Sequence, residues 1–365
     1  MTMLAAAEPL APTLDIREAI SHVVDGETLS REQATAVMDS IMAGHASGGQ
    51  IAALVTALRL RGETVEEIAG FASAMRDHAI RVTLPPGIAH VVDTCGTGGD
   101  RSGSFNISTT ASFVIAAAGV SIAKHGNRAM TSQCGSADLL EGLGVAVELT
   151  PEQVATCIAE IGIGFMYAPA FHPAMRYVGP TRREIGIRTI FNILGPLTNP
   201  AGARHQLIGV GQEGISVKLA EALRTLGCQH AVLVRADEGL DELGVAGSTS
   251  VTEYDARDGE IRSYSVTPED FGLKRGRSGD LLGGGVEDNV RIAEEVLSGA
   301  PGPRRDVVLM NAGAAIYAAD RTASIAEGIE LARAAIDDGS ALARVGMLAD
   351  LSKRLRSEKS EEVQA

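Results

Sequence analysis

The sequence predicts an α/β protein in which a small all-helical N-terminal domain precedes a large domain with a mostly parallel central sheet flanked by helices. Two patterns support this fold class. Apolar residues recur three and four positions apart from Leu14 to about Leu84, which is helical spacing. Short β-branched runs then alternate with helical segments, as in parallel sheets covered by helices. The length of 365 residues is also greater than one domain usually holds.

Four short helices are predicted within residues 14–84. Ser30 and Thr64 each begin a capping box, because a Gln or Glu three positions later can bond back to the cap backbone. Gly44 and Gly62 follow apolar segments and can adopt the left-handed conformation that ends a helix. The predicted helices therefore have defined starts and stops.

A domain boundary is predicted at the segment 84–87, Leu-Pro-Pro-Gly, because proline removes an amide donor and restrains the residue before it. Residues from about 182–202 return to helical spacing, and we expect them to leave the sheet domain and join the small one. The predicted small domain is thus 14–84 with 182–202, and the large domain is 88–181 with 203–352. The polar segment 353–365 is predicted to fray.

Within the large domain, β-branched and apolar runs predict six strands, at 89–92, 120–123, 145–149, 163–167, 206–210 and 231–234. The runs 250–254 and 261–266 flank Asp258-Gly259, a dipeptide typical of tight turns, so they are predicted to form a β-hairpin. Thr150 begins a further capping box, with Pro151 at the first helical position.

Composition and charge exclude several classes of protein. Aromatic residues are 3% of the chain, too few for a base-stacking single-strand binder. The formal net charge of −14 repels nucleic acid and anionic membrane surfaces, so neither is an expected partner, and an anionic substrate needs a local cationic pocket. The longest apolar run, 111–123, is too short to span a bilayer, and the N-terminus lacks a basic leader, so a cytoplasmic protein is predicted. No metal or redox motif is formed by Cys95, Cys134, Cys157 and Cys228.

A glycine-rich segment, 93–100, follows a predicted strand and leads to Asn106 at the start of a predicted helix. Glycines let backbone amides approach an anion closely, and a helix N-terminus adds unpaired N–H groups. This composition suits a phosphate site. It is not a dinucleotide fingerprint, since Arg101 occupies the third glycine position, and no P-loop sequence occurs. A purely structural turn is the alternative.

A second segment, 124–136, gathers Lys124, His125 and Arg128 with three hydroxyl residues and two glycines. Lys and Arg supply charge-assisted hydrogen bonds to phosphate, and hydroxyls and glycine amides complete a shell around its oxygens. Because the protein is strongly negative overall, this local concentration of potential cations indicates a small anionic ligand. The alternative is a solvated polar loop.

Two further segments carry charge. Arg182 and Arg183 are adjacent on a predicted helix, where neighbouring side chains point about 100° apart, so we expect only one to face a ligand. The run 237–242 follows an apolar strand and holds two Asp-Glu pairs. Carboxylates at the end of a sheet strand can coordinate Mg²⁺ together with substrate oxygens. Composition does not choose between the pairs, and an exposed charged surface is the alternative for both segments.

In this order, the segments resemble the anthranilate phosphoribosyltransferase family, which has a nucleoside phosphorylase-like fold. The resemblance extends nearly to residue 350, and its most specific blocks are 93–100, 106–109, 124–136, 171–200 and 239–242. It implies transfer of the phosphoribosyl group of phosphoribosyl pyrophosphate (PRPP) to the amine of anthranilate in tryptophan biosynthesis. It also implies dependence on Mg²⁺, with two ions per subunit, and a homodimer.

The resemblance further implies roles for matching residues, with no dedicated acid or base. Electrostatic roles fall to Lys124 and Arg182. Residues implied to contact anthranilate are Gly96, Asn127 and Arg182, and those implied to hold magnesium are Ser108, Asp241 and Glu242. Residues implied to bind PRPP are Gly96, Gly99, Asp100, Ser104, Asn106, Ile107, Ser108, Thr109, Lys124, His125, Gly126, Asn127, Arg128, Ala129, Met130, Thr131, Ser132 and Ser136.

Several positions depart from the family pattern. Ala129, Gln133 and Cys134 stand where Ser, Lys and Ser are frequent, Ser104 stands where Thr is common, and Gly244 replaces a usual hydroxyl residue. A thiol is a weaker donor than a hydroxyl, so a phosphate contact at position 134 is in question. Two other functions stay open at this point: a pyrimidine nucleoside phosphorylase of the same fold, and a non-catalytic ligand-binding regulator.

Overall fold

The computed structural model describes residues 14–88, 90–129 and 133–362, and it divides the chain into two compact units. The helical unit contains the chain up to His78 together with Ala174–Leu194, and the sheet unit contains Ala79–Pro173 and everything from Gly195 onward. These boundaries differ from the predicted ones, because the second helical stretch is 174–194 rather than 182–202.

Polar contacts explain why residues 195–202 lie in the sheet unit. The side chain of Asn199 donates hydrogen bonds to Asp93 Oδ2 and to the Ala123 carbonyl, both at 2.8 Å. Gln206, in a strand, donates to the carbonyl of Pro196 at 2.6 Å. Helical spacing alone did not reveal these tethers to the sheet.

In chain order, the α-helices are α1 Ile16–Val24, α2 Arg31–Met42, α3 Gly48–Arg61, α4 Val65–Asp77, α5 Ile107–Ala117, α6 Ser136–Gly142, α7 Pro151–Ile161, α8 Ala168–Phe171, α9 Gly179–Ile185, α10 Phe191–Leu194, α11 Ser216–Thr225, α12 Val286–Leu297, α13 Pro303–Ala318, α14 Ile325–Asp337 and α15 Ser340–Glu362. The strands are β1 Val91–Gly96, β2 Ser121–Gly126, β3 Ile163–Tyr167, β4 His205–Gly209, β5 His230–Ala236, β6 Thr249–Asp255 and β7 Glu260–Val266.

The helical unit confirms the predicted helices and their punctuation. The Ser30 hydroxyl accepts the Gln33 N–H at 3.2 Å, and Thr64 accepts the Glu67 N–H at the same distance, which are the two predicted capping boxes. Gly44 and Gly62 follow α2 and α3 with φ of +80° and +90°. Apolar residues at helical spacing in α1–α4 face inward and are buried, as the pattern required.

Within the described residues, the sheet has seven strands in the order β3-β2-β1-β4-β5-β6-β7. The first five pair in parallel, and β5, β6 and β7 pair antiparallel. The predicted hairpin is therefore present, with Gly259 at φ +75° in its turn. In the sheet, β2 lies on one side of β1 and β4 lies on the other, so the strand order reverses at β1. Ligands of open α/β sheets bind at such a reversal.

The predicted strand at 145–149 is wrong. This segment is buried but irregular, lying between α6 and α7. The Val145 N–H bonds to the Leu140 carbonyl, closing α6, and the Ala146 N–H bonds to the hydroxyl of Ser352. An apolar β-branched run is thus buried without joining the sheet, because its amides have other acceptors.

The predicted fraying from residue 353 is also wrong as far as Glu362, where α15 ends. The beginning of this helix is anchored by buried residues such as Leu348 and Leu351, and the Gln153 side chain donates to the Leu355 carbonyl at 2.5 Å. Propagation from an anchored turn keeps the polar continuation helical. Nowhere in the described residues is there a helix with the length and apolarity needed to cross a bilayer.

Candidate functional site

The candidate site lies in the sheet unit, where β1, β2 and β5 end at one edge of the sheet. Gly96, the last residue of β1, is opposite Gly209, the last residue of β4. The Gly98 amide donates to Asp241 Oδ2 at 3.1 Å across 143 positions of sequence. The predicted glycine loop and the second Asp-Glu pair are therefore in direct contact.

Close packing explains the glycines of this edge. A Cβ at Gly96 would overlap the Asp241 carboxylate, and one at Gly209 would overlap the Asp241 backbone. In the loop after β1, Gly98 and Gly99 have φ of +65° and +74°. Arg101, at the position that excluded a dinucleotide fingerprint, is itself left-handed at φ +58°. The loop thus follows the carboxylate segment closely and presents backbone amides to it.

Three acidic side chains meet beside this loop. The Asp241 N–H donates to Asp100 Oδ2 at 3.4 Å. Burial, reinforced by the negative charge of Asp100, raises the pKa of Asp241 to about 7. Burial, reinforced by the charge of Asp241, raises the pKa of Glu242 to about 8. A cation bound between these carboxylates would offset both the burial and the repulsion, because it stabilises their ionised forms.

Lys124 is the cation nearest these acids, and it is 3% exposed. Its ammonium donates to the Thr94 carbonyl at 2.6 Å and to the Ser108 hydroxyl at 3.2 Å. Burial lowers the pKa of Lys124, while the negative charges of Asp93 and Glu242 oppose that shift. Lys124 therefore joins β1, β2 and the start of α5 in one polar network.

Asp93 organises the same network. It is the first residue of the glycine-rich segment 93–100, and no role was predicted for it. It is fully buried, and its carboxylate accepts the Asn199 side chain at 2.8 Å and the His125 backbone amide at 3.2 Å. Burial raises the pKa of Asp93. No role was predicted for Asn199 either, although it lies in the block 171–200. A polar residue inside an apolar strand, just before a glycine turn, is the sequence signal for such a role.

His125 is not a cation here, contrary to its inclusion among the potential cations. Burial, together with its neighbour His172, lowers the pKa of His125 to about 3, and burial lowers the pKa of His172 to about 4. The two rings lie 5.0 Å apart, centroid to centroid. Among the described residues, no hydrogen-bond partner meets the buried Nε2 of either ring or the buried Oδ1 of Asn106. Buried polar atoms without a partner are rare, so these atoms are candidates for a role in binding.

Arg128 is held by carboxylates. Its guanidinium pairs with both oxygens of Glu141, lies 3.6 Å from Asp138, and stacks over the Tyr167 ring at 5.5 Å. The Ser136 hydroxyl accepts the Asn127 amide at 3.2 Å, which folds the loop back on itself. The predicted ligands Met130, Thr131 and Ser132 lie outside the described residues.

The remaining predicted PRPP residues lie around the start of α5. Ser104 forms an isolated bridge with Leu282, and Asn106 caps the helix without a side-chain cap bond. The side chains of Ile107 and Thr109 are buried, so we expect these residues to contribute backbone groups to the site. The backbone amide of Ser108 donates to Glu242. The N-terminus of α5 therefore faces the acidic group.

Three positions that complicated the sequence pattern have structural explanations. Glu238, of the other Asp-Glu pair, lies against Gly244, where a Cβ would meet its carboxylate at 2.5 Å. A hydroxyl residue at 244 would require the Glu238 side chain and Ala236 to shift. Cys134 is buried with Leu139 and Ala293, and burial raises the pKa of its thiol to about 11. Its thiol packs in the core and is no substitute for a phosphate-binding serine.

Arg182 belongs to the helical unit, on α9. It is half-buried with its guanidinium 5.8 Å from the Phe191 ring, whereas Arg183 is exposed. Burial lowers the pKa of Arg182. Only one of the adjacent arginines is thus enclosed, as their angular separation predicted.

Family comparisons cover most of the chain. Residues 88–342 match the glycosyl transferase family a/b domain, and residues 17–79 match the helical bundle domain of the glycosyl transferase family. The chain is 52% identical, over 93% of its length, to the anthranilate phosphoribosyltransferase of Symbiobacterium thermophilum, of which it covers 98%.

Solved structures show the same similarity. The anthranilate phosphoribosyltransferase of Thermus thermophilus superposes with a TM-score of 0.85 at 44% identity, covering 92% of this chain and 99% of that one. The enzyme of Saccharomyces cerevisiae in complex with PRPP and Mg has a TM-score of 0.83 at 28% identity, covering 93% and 98%.

Proposed function

The chain belongs to the anthranilate phosphoribosyltransferase family, and on that premise we propose how its residues transfer the phosphoribosyl group of PRPP to the amine of anthranilate, with release of pyrophosphate. The observation that carries the proposal is the meeting of Asp100, Asp241 and Glu242 with the glycine loop and the start of α5. Neither a pyrimidine nucleoside phosphorylase nor a non-catalytic regulator is supported by the relatives.

We assign PRPP to the carboxyl edge of the sheet. Backbone amides of the glycine loop and of the first turn of α5 are the donors, since an anion favours both. Asn106 and His125 have buried polar atoms that lack partners among the described residues, and a ligand would satisfy them. The other predicted PRPP residues, including Arg128 and the segment 130–132, enter the proposal from the family resemblance.

The residues of this edge fit Mg²⁺. Asp241 and Glu242 supply oxygen ligands, which Mg²⁺ prefers, and both carry raised pKa values that a nearby cation would lower. The backbone amide of Ser108 donates to Glu242, and its hydroxyl, 3.2 Å from Lys124 Nζ, is a further oxygen ligand in this proposal. An ion held by Asp241, Glu242 and Ser108 would supply positive charge to offset the negative charge of the pyrophosphate leaving group. The use of two ions per subunit stays a prediction.

Transfer then depends on position and charge. Lys124, fixed by Thr94 and Ser108, brings a buried positive charge to the end of β2, where it stabilises negative charge that develops on the leaving group. In this proposal no side chain acts as a dedicated base. The aromatic amine needs only to be held in line for attack at the sugar carbon. In this proposal, Gly96 and Asn127 contact anthranilate.

Arg182 is proposed to bind the anthranilate carboxylate. Its enclosed guanidinium has no carboxylate partner among the described residues, and a planar guanidinium suits a carboxylate bidentately. The homodimer and the cytoplasmic location also stay predictions, for which analytical ultracentrifugation and cell fractionation are the direct measurements.

The test is to mix the protein with Mg²⁺, PRPP and anthranilate and to follow the fluorescence of anthranilate. We expect fluorescence to fall only when all three are present, and EDTA to stop the fall. Thymidine or uridine with inorganic phosphate serves as the control reaction. Consumption of the nucleoside, with no loss of anthranilate at any protein concentration, would contradict the proposal.

A further inference from the structure

The strands β1 and β2 separate before they reach the carboxyl edge of the sheet. They pair with each other only as far as Val92 and Ile122. Beyond that point β1 still pairs with β4 up to Gly96, and β2 still pairs with β3 up to Gly126. A gap therefore opens between β1 and β2 at the reversal of strand order, where the function proposed above places PRPP.

The register identifies the backbone groups that the gap leaves without a ladder partner. The Ile122 N–H donates to the Gly162 carbonyl at 2.8 Å, just before β3, so the residues that alternate with Ile122 turn their backbone groups toward β1. If the ladder continued, the Ala123 carbonyl would accept the Thr94 N–H, and the Thr94 carbonyl would accept the His125 N–H. Buried backbone groups are almost always paired, so other partners are expected.

Two side chains supply partners for the β2 groups. Asn199 Nδ2 donates to the Ala123 carbonyl at 2.8 Å, and Asp93 Oδ1 accepts the His125 N–H at 3.2 Å. The same Asn199 amide also donates to Asp93 Oδ2 at 2.8 Å. Asp93 and Asn199 therefore form one hydrogen-bonded unit, the spacer pair, which occupies the bonds that would otherwise draw β2 against β1.

Lys124 lies between the two backbone positions that the spacer pair holds. Its ammonium donates to the Thr94 carbonyl at 2.6 Å and to the Thr94 hydroxyl at 3.3 Å. In a continuing ladder, that carbonyl would be bonded to the His125 N–H instead. The ammonium thus takes the place of a ladder bond, and its position depends on the gap between the strands.

The chemistry of the spacer pair is specific to a carboxylate at 93 and an amide at 199. Both side chains are buried, and the Cys95 thiol adds a third donor to the Asp93 carboxylate at 3.3 Å, beside Asn199 and the His125 N–H. Asn199 Oδ1 accepts the Ala201 N–H at 2.9 Å, which fixes the end of the amide that faces Asp93. Exchange of an oxygen for an NH₂ group at either position would oppose like groups.

We propose that Asp93 and Asn199 are positioning residues, which keep β1 and β2 apart so that Lys124 is placed to bind PRPP. This inference rests on the proposed function, in which the charge of Lys124 stabilises the leaving group. The spacer pair acts through β2 and is not assigned a contact with substrate. A gap produced by sheet twist alone, with the pair only filling it, would instead leave PRPP affinity independent of the pair.

The first measurement is amide hydrogen exchange of the ligand-free protein, followed by mass spectrometry. Asp93→Asn nearly preserves size, but an amide has a single acceptor oxygen, so its NH₂ group meets either Asn199 or the His125 N–H. We expect the segment 121–128 to exchange about tenfold faster in this variant than in the wild type, because β2 loses its attachment to Asp93.

The second measurement is the Kd of the Mg²⁺–PRPP complex, obtained by calorimetric titration of folded protein. We expect it to rise about tenfold in Asp93→Asn and in Asn199→Asp, where an oxygen replaces the NH₂ group that bonds the Ala123 carbonyl. Ser352→Ala is the matched control, because Ser352 is also buried and accepts a backbone N–H, that of Ala146 at 2.9 Å. It should lower Tm but leave the Kd unchanged.

The two measurements separate this inference from the proposed function. Equal Kd values in Asp93→Asn and Ser352→Ala, or unchanged exchange of the segment 121–128, would overturn the role of the spacer pair. Wild-type protein that bound no PRPP would contradict the proposed function instead, and exchange of 121–128 would then decide by itself whether Asp93 holds β2.

Discussion

Buried acidic residues have pKa values shifted in opposite directions at the two edges of the sheet. At the carboxyl edge, burial and mutual repulsion raise the pKa of Asp241 and of Glu242. At the amino edge, Glu253 is also buried, yet hydrogen bonds from His230, Tyr317 and Tyr264 overcome the cost of burial and lower its pKa. The acids of the first edge are incompletely compensated, because the amides of Gly98 and Ser108 and the charge of Lys124 do not offset burial and repulsion, whereas the hydrogen bonds to Glu253 do offset its burial.

This difference separates binding from stability. An uncompensated cluster costs folding free energy, and it persists where a ligand supplies the missing charge. A compensated cluster joins elements of the fold and needs no ligand, as His230 does between β5, β6 and the turn after α13. Substitutions at the carboxyl edge should therefore affect catalysis, and those at the His230 cluster should affect stability.

The largest effect is expected from neutralising the uncompensated acids. Glu242→Gln and Asp241→Asn should each lower kcat/KM by about 10²–10³, the usual loss when one group that stabilises charge in the transition state is removed. The Tm of the ligand-free protein should not fall, because repulsion is relieved. Fluorescence assays and thermal unfolding measure the two effects. Asp237→Asn is the control, and an equal loss of activity there would contradict the assignment of the metal pair.

The reverse result is expected at the partnered edge. Glu253→Gln should leave kcat unchanged but lower the free energy of unfolding by about 1–3 kcal/mol, because the hydrogen bonds from His230, Tyr264 and Tyr317 lose their charged acceptor. Chemical denaturation at neutral pH measures the loss, with the exposed Glu260→Gln as control. A loss of activity without a loss of stability would reverse the comparison.

A smaller effect is expected from the close approach of the glycine loop to the metal pair. Gly96→Ala would place a methyl group against the Asp241 carboxylate, and overpacking of this kind costs about 1–3 kcal/mol. We expect roughly a tenfold decrease in kcat/KM. Gly279→Ala is the control, since nothing lies near its Cβ position. Equal activity of the two variants would show that the approach is not required.

A last effect is a dependence of stability on pH, which arises from an acid at one edge and from a histidine at the other. A raised carboxyl pKa means that the folded protein binds more protons, so Glu242 lowers stability as pH rises from about 4 to about 8. Burial opposes protonation of His230, but hydrogen bonds to Glu253 and Asp320 raise its pKa. Its contribution is complete below about pH 6.5 and is lost as pH rises through the folded value.

Denaturation curves across this pH range can separate the two contributions. Glu242→Gln should flatten the decrease between about pH 4 and 8, and His230→Gln should make the decrease above about pH 6.5 less steep. If neither substitution changes the pH profile, the charge states assigned to both edges are wrong.

Local signals predicted much of the fold. Capping residues such as Ser30 and Thr64, the hairpin dipeptide at 258–259 and the alternation of strands with helices are each recorded in a few neighbouring residues. The irregular segment 145–149 was missed, because its acceptor, Ser352, is about 200 positions away. The course of residues 195–202 was missed for the same reason, since Asn199 bonds to Asp93.

The site was predictable in its residue types but not in its charges. Glycines, Lys124 and Asp241 were identified from local composition and the resemblance. The neutral state of His125 was not, because it results from burial beside His172. The partners of Arg128, which include Glu141, depend on how α6 packs, so they could not be predicted from the sequence pattern.

Calorimetric titration of the Mg²⁺–PRPP complex into the metal-free protein at pH 7 tests the central claim most directly when repeated in two buffers of different ionisation enthalpy. Because the pKa values of Asp241 and Glu242 are about 7 and 8, the free site holds protons that the bound cation must displace. We predict release of about one proton per site, reduced in Glu242→Gln. Tight binding with no net proton release would contradict the account.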